Sequence, residues 1–273
     1  MIKVNVIVAL YYPNYYQRVR EEIISFLQGF DYFIVFVDNN RTVKPNIENN
    51  KNVTWIIGSN IGGEFSAWDE GYDLLVNMKN PSDDEIIVFI NDTFCHHHFF
   101  TCFDRYLYRK AISTCEDNNI YGDVNSIGEF FSVYDRHFSS WVSSYFFLGR
   151  KKNIDKLLPL NKQSGMNAEY MRYLSNALVS KRVDVPIFSD KLNQHLTNWL
   201  FPVNSKGWYG ARNVSQQLIL FKLNAIINEK LLTYNIIEHD LLLTNIYHGK
   251  IRTLYNSMRN KLYFFCKNNK LIG

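Results

Sequence analysis

Cysteine is scarce in this sequence, and what there is does not pair. Cys95, Cys102, Cys115 and Cys266 are the only four in 273 residues. None has CxxC spacing, which excludes a disulfide scaffold and a zinc ribbon and points to free thiols in a reducing compartment. No apolar run approaches the length of a membrane span. The opening MIKVNVIVALYY has one leading Lys, an interrupting Asn5 and no small-residue cleavage site, unlike a signal peptide. The expected location is therefore cytoplasmic. Gly-Ser linkers and Pro-rich runs are absent, so nothing marks a clean domain boundary. A formal net charge of only +4 excludes nucleic acid as a partner of the molecule as a whole. Glycine is missing from ALYYPNYY after the first apolar run, which removes the Gly-rich loop that a Rossmann-type methyltransferase would need there. Acid is missing from Gly249 onward, where Lys250, Arg252, Arg259, Lys261, Lys267 and Lys270 leave the body of the chain slightly acidic and the tail basic.

What is present alternates. KVNVIVALYY, YFIVFVDNN, NVTWIIGSN and DEIIVFIND read as four strands, the last almost wholly apolar, as in a strand covered on both faces. Between them, NYYQRVREEIISFLQGF sets Tyr16, Val19, Ile23 and Leu27 on one helical stripe. GEFSAWDEGYDLLVNM does the same with Phe65, Trp68, Tyr72, Leu75 and Val76. Strand and helix in turn predict a parallel α/β sheet. SSWVSSYFFLGRKK predicts a further strand, and NAEYMRYLSNALV, VSQQLILFKLNAIINEKLL and the tail predict helices. The expected organisation is one α/β domain over residues 1–212, with a helical extension over 213–273.

In an open α/β sheet ligands sit beyond the carboxyl ends of the strands. Three of these ends are polar. The second strand stops at Asp38, Asn39 and Asn40, where a carboxylate can accept bonds from a base or ribose. The third runs into GSNIGGEFSAW, where Asn60 offers an amide and Gly62 and Gly63 permit close backbone approach just before a helix N-terminus. The fourth ends in Asn91, Asp92 and Thr93. Singly, each has an ordinary explanation in turn chemistry; in order on successive strands they form a pattern.

VDNN, then GSNIGGEFSAWDEG, then VFINDTF resembles the N-terminal half of bacterial glycosyltransferases of GT-A architecture that build O-antigen, capsule and rhamnan polysaccharides. The ordered match covers residues 1 to about 100, with a looser echo in SSYFFLGRKK and NWLFPVNSKGWYGAR. The resemblance implies transfer of a sugar from a nucleotide-diphosphate donor, UDP before dTDP, to a lipid-linked oligosaccharide. It implies that Asp38 and Asn39 hold the nucleoside, that Asn60, Gly62 and Gly63 line the donor pocket, and that Asn91 and Asp92 sit at the diphosphate, with Asp92 on a Mn²⁺ or Mg²⁺ ion. A cation there offsets charge on the leaving diphosphate. The sequence departs from the family's Asp-x-Asp, because Asn91 and Thr93 flank a single carboxylate. Two consequences are open: a cation held mostly by the donor's phosphates, or positive charge supplied directly by Arg150 of GRKK. A further alternative is a catalytically silent relative that binds nucleotide or glycan and organises a synthesis complex.

Other residues stay less determined. His96, His97 and His98 are adjacent and so point in different directions, which argues against structural zinc with Cys95. The acceptor's proton requires a carboxylate base if transfer inverts; the candidates are Asp135, Glu129 and Glu169, with Asp135 favoured for its place before the further strand. Trp199 and Trp208 bracket a loop suited either to a sugar face or to the core. In the tail, Ile251, Leu254, Tyr255, Met258, Leu262 and Phe265 share a helical stripe beside basic residues, as expected of a helix lying on an anionic membrane surface or packed on the domain.

Overall fold

Residues 1–41, 51–162, 168–203 and 215–269 are described in this computed structural model; the side chains of residues 168–171, 174 and 268 are outside the description. The order along the chain is β1 (Lys3–Leu10), α1 (Tyr16–Leu27), β2 (Asp31–Asp38), β3 (Val53–Ile57), α2 (Glu64–Lys79), β4 (Ile86–Asn91), α3 (Cys102–Ser113), β5 (Asn119–Val133), β6 (Arg136–Arg150), α4 (Lys151–Leu157), α5 (Ala168–Ser180), α6 (Asp190–Leu200), α7 (Gln216–Glu238), β7 (Leu242–Asn245) and α8 (Lys250–Asn268). The architecture is mixed α/β. Seven strands form one sheet in the order β3-β2-β1-β4-β6-β5-β7. Pairing is parallel throughout except on the two sides of β6, which runs against both β4 and β5.

Alternation within the strands explains why they are apolar end to end. Val4, Val6, Val8 and Leu10 of β1 join Ile34, Phe36, Val88 and Ile90 under α1 and α3. The intervening Ile7 and Ala9 join Val35, Val37, Ile87 and Phe89 under α2, α4 and α7. Each such side chain contributes about 1.5–3 kcal/mol when fully buried, and with helices on both faces neither half of the alternation is left polar. A third cluster lies under the outer half of the β5–β6 hairpin, where Phe131, Val133 and Phe138 meet Leu192, Leu196, Leu223 and Ile227 of α6 and α7.

Within the predicted extension, residues 215–269 are more than a set of helices. They supply β7 to the edge of the sheet, and α7 donates Leu232 and Ile236 to the core beneath α2. α8 is docked by a buried polar latch. Thr101 and Asp104 cap α3 reciprocally, and the same Asp104 carboxylate accepts the hydroxyls of Tyr247 (2.8 Å) and Tyr255 (2.6 Å) and the Arg259 guanidinium.

Candidate functional site at the strand ends

Backbone bonds continue past the strands and hold their ends side by side. Gly58 N–H donates to Asp38 O, Asn39 N–H to Leu10 O and Asp92 N–H to Ala9 O, each at 2.9–3.0 Å. The loop after β1 is pinned by side chains from both neighbours: Tyr11 and Tyr12 N–H each donate to Asp92 Oδ2 at 2.7 Å, and Asn40 Nδ2 donates to Tyr11 O at 2.9 Å. Asp38 Oδ1 accepts the N–H groups of Asn40 and Arg41, at 3.0 Å each. Asn39 reaches across to α2, its Nδ2 donating to Gly63 O at 2.8 Å. Asp38, Asn39, Gly63, Asn91 and Asp92 therefore lie on one edge, with Asn40 and Asp92 joined through the Tyr11–Tyr12 loop and Gly63 joined through Asn39.

The Gly62–Gly63 turn is fixed closely enough that neither position admits a side chain. Gly63 has φ +63°, and a Cβ there would stand 2.8 Å from Phe221 Cζ; on Gly62 it would stand 2.4 Å from Asn161 Nδ2. Ser66 Oγ accepts Gly62 N–H (3.0 Å) and donates to Gly63 O (3.1 Å). The turn opens α2, whose N-terminus favours an anion. Asn60, also left-handed at φ +58°, keeps a buried Oδ1 with no partner among the described residues, and Asn39 Oδ1 is in the same condition. Unmet buried acceptors at two strand ends suit donors such as ribose hydroxyls or a base N–H.

Electrostatics single out Asp92. Burial pushes its carboxyl up to about 7, the charge of nearby Glu64 adds to the effect, and the Tyr11 and Tyr12 N–H bonds oppose it. Next to it Asn91 donates to Ser144 Oγ (3.4 Å), and Ser144 N–H donates to Glu229 Oε1 (2.8 Å). Tyr145, raised chiefly by burial, also feels the charges of Glu229, Asp123 and Glu64. α7 thus crosses the strand ends, with Phe221 over Gly63, 6.4 Å between ring centres from Tyr11, and Glu229 over β6, about 12 Å further along the helix.

A divalent cation fits this group only as a shared ligand. Asp92 and Glu64 offer hard oxygens suited to Mg²⁺ or Mn²⁺, but no cluster of three His, Cys, Asp or Glu side chains able to hold a metal occurs among the described residues. The histidines do not supplement it. His96 stacks on Tyr15 with 3.7 Å between ring centres; His97 is pushed down to about 4 by burial, with help from Lys267 and Lys222; His98 is buried and held well below its ordinary value for the same chief reason. Those two lysines bring positive charge to the loop after Asp92.

Three expectations for the site require correction. Arg150 is at the far end of the sheet, because β6 runs antiparallel and pairs Arg150 with Ile86 at the start of β4. Its guanidinium is occupied there by Asp117 (2.9 Å) and the carbonyls of Asp84 and Cys115. Asp135 occupies the tight turn between β5 and β6, ten residues along the chain from Tyr145, in a depression lined by Tyr134, Lys162, Leu231, Tyr234 and Asn235. Glu129 is on the same hairpin, exposed and paired with Lys191 at 3.2 Å. Glu169 falls in α5 with its side chain outside the described residues, as does the whole of Trp208, whereas Trp199 packs on the third cluster. The carboxylates that the fold does bring to the strand ends are Glu64 and Glu229, neither of which is among the residues the sequence pattern picks out. Glu64 was visible as the acid directly after Gly63. Nothing local marks Glu229, which arrives from α7.

Fold and strand ends together define a mixed α/β protein with a polar cluster at the carboxyl ends of its parallel strands. No protein-family model matches the chain, and no curated protein sequence matches it. Among solved structures it is similar to a 4-diphosphocytidyl-2C-methyl-D-erythritol synthase, at 9% identity over 92% of this chain and 90% of that one, with a TM-score of 0.39.

Proposed function

We propose that this protein is a glycosyltransferase of GT-A type that moves a sugar from a UDP-sugar to a lipid-linked oligosaccharide during synthesis of a bacterial surface polysaccharide. The observation that supports it is the convergence of the strand ends: Asp92 and Asn40 both bond the Tyr11–Tyr12 loop, and Asn39 bonds the Gly62–Gly63 turn. Asp38, with the unmet amide oxygens of Asn39 and Asn60, takes the nucleoside. The N-terminus of α2 and the Lys222–Lys267 side take the diphosphate. Asp92 and Glu64 would hold a Mg²⁺ or Mn²⁺ ion together with the donor's phosphates, and that ion supplies charge neutralisation on the leaving diphosphate. Glu229 is assigned the acceptor side: Ser144 N–H fixes its carboxylate, and it lies beyond Asn91 where the acceptor hydroxyl would approach, positioned to accept that proton.

A second reading, a silent relative that binds nucleotide or glycan, draws on two features. Asp92 Oδ2 is already occupied by two backbone N–H groups, and Phe221 covers Gly63. Turnover of a panel of nucleotide sugars with Mg²⁺ or Mn²⁺, read as nucleotide release alongside calorimetric binding of UDP, separates the two. Release that falls at least a hundred-fold in Glu229→Gln, with UDP affinity retained, is expected of the transferase. Binding without turnover of any donor favours the silent relative, and neither binding nor turnover refutes both.

A further inference from the structure

α8 is fastened to the body by one face and leaves a second, apolar face in solvent. Tyr263 is buried, with its hydroxyl donating to His96 O at 2.9 Å, and Arg259 is buried on Asp104. Tyr255 packs edge-on against Phe103 of α3, with 4.8 Å between ring centres. These three fall at i, i+4 and i+8 on the docked side. The neighbouring stripe is Ile251, Leu254, Met258, Leu262 and Phe265, at 81, 61, 62, 56 and 61% exposure. Docking therefore does not consume the apolar stripe. Exposed Tyr106 of α3 stacks on Phe103 (6.0 Å) and extends the patch beyond the helix. Five large exposed apolar side chains in register on one rigid helix exceed the scattered exposure usual on a monomer.

Charge selects the occupant. α8 contains no Asp or Glu, and Lys250 and Lys261 border the stripe on the side away from the docked face. Packing the stripe against a second copy would bring these like charges together across a two-fold axis. An anionic bilayer surface accepts both features, apolar side chains into the acyl boundary and lysines into the headgroups. We infer that α8 is a membrane-docking face that seats the protein on anionic lipid. Tyr263 also bonds His96 O, so the C-terminal half of this helix is held against the loop that follows Asp92. The docking face itself does not rest on the sugar-transfer reading.

The test is flotation of the full chain with vesicles of phosphatidylcholine alone and of phosphatidylcholine with phosphatidylglycerol, alongside sedimentation velocity without lipid. The wild type is expected to float with the anionic vesicles and to be released by salt. Lys250→Gln with Lys261→Gln weakens binding about thirty-fold. Met258→Glu with Leu262→Glu abolishes it without changing the melting temperature, since both side chains are exposed. Nucleotide release from a soluble donor is unchanged in these variants, which keeps failure of docking distinct from failure of the transferase assignment. Failure of the wild type to float at low salt overturns the inference. So does a wild-type dimer dispersed by Met258→Glu with Leu262→Glu, which would make the face a contact between copies.

Discussion

Replacing Asp92 by Asn is expected to stabilise the protein while disabling it. The carboxyl is buried, and its proton is held up to about 7 against an ordinary value of 3.8. A folded-state value above the unfolded one means that the folded state binds the proton more tightly. The stability this confers is complete below about pH 4 and is lost as pH rises through about 7. Each pH unit in that window costs about 1.4 kcal/mol. The wild type therefore carries a penalty of roughly 4 kcal/mol at about pH 8, as an order of magnitude, and almost none at about pH 4. Asn cannot ionise, yet its amide oxygen can still accept the Tyr11 and Tyr12 N–H bonds, so the variant escapes the penalty. Urea unfolding of both proteins across that range reads the difference directly: the curves should converge in acid and separate toward alkaline pH, with the variant above. Mg²⁺ together with UDP should narrow the gap for the wild type alone, because bound cation stabilises the ionised carboxylate. A gap that does not change with pH, or a variant less stable at about pH 8, would refute the view that Asp92 is a desolvated carboxylate retained at the expense of stability.

Gly63→Ala must place a side chain at φ +63° against Phe221; it should cost about 1–3 kcal/mol in chemical denaturation and abolish calorimetric UDP binding. Arg259→Met leaves Asp104 buried without its counter-ion and should cost about 3 kcal/mol, seen as a lowered melting temperature with earlier proteolysis of α8. Arg150→Ala should leave UDP affinity unchanged and shift stability by no more than about 1 kcal/mol, because its partners lie at the opposite end of the sheet; a weakened UDP affinity would contradict its placement.

The first half of the fold was legible because its signals are local. Unbroken apolar strands, a single helical stripe between them and a polar residue at each strand end need no knowledge of distant partners, and they located Asp38, Gly63 and Asp92 on one edge. The sheet's second half was not legible for a corresponding reason. GEFFSVYDRHF offers Glu129 and Asp135 as candidate bases before a further strand, yet it is the turn of a long hairpin whose outer strands are covered by α6 and α7 from far along the chain. The direction of β6 is a property of its pairing, not of its residues, and its antiparallel run puts Arg150 beside the start of β4, away from Asn91. β7 is only four residues long, too short for alternation to show. Arg259 read as one more basic residue of the tail, because the Asp104 that buries it is 155 positions away.

That separation has a consequence for biogenesis. The latch on α3 closes only after the whole intervening sheet has been made, and it is a contact of high loop-closure cost that a growing chain forms late. Until α8 arrives, the Asp104 end of α3 and the loop past Asp92 lack part of their packing, so a nascent or clipped molecule would bear an unfinished ligand edge. Arrival of α8 would then complete the strand-end edge and the exposed apolar stripe in a single closing event.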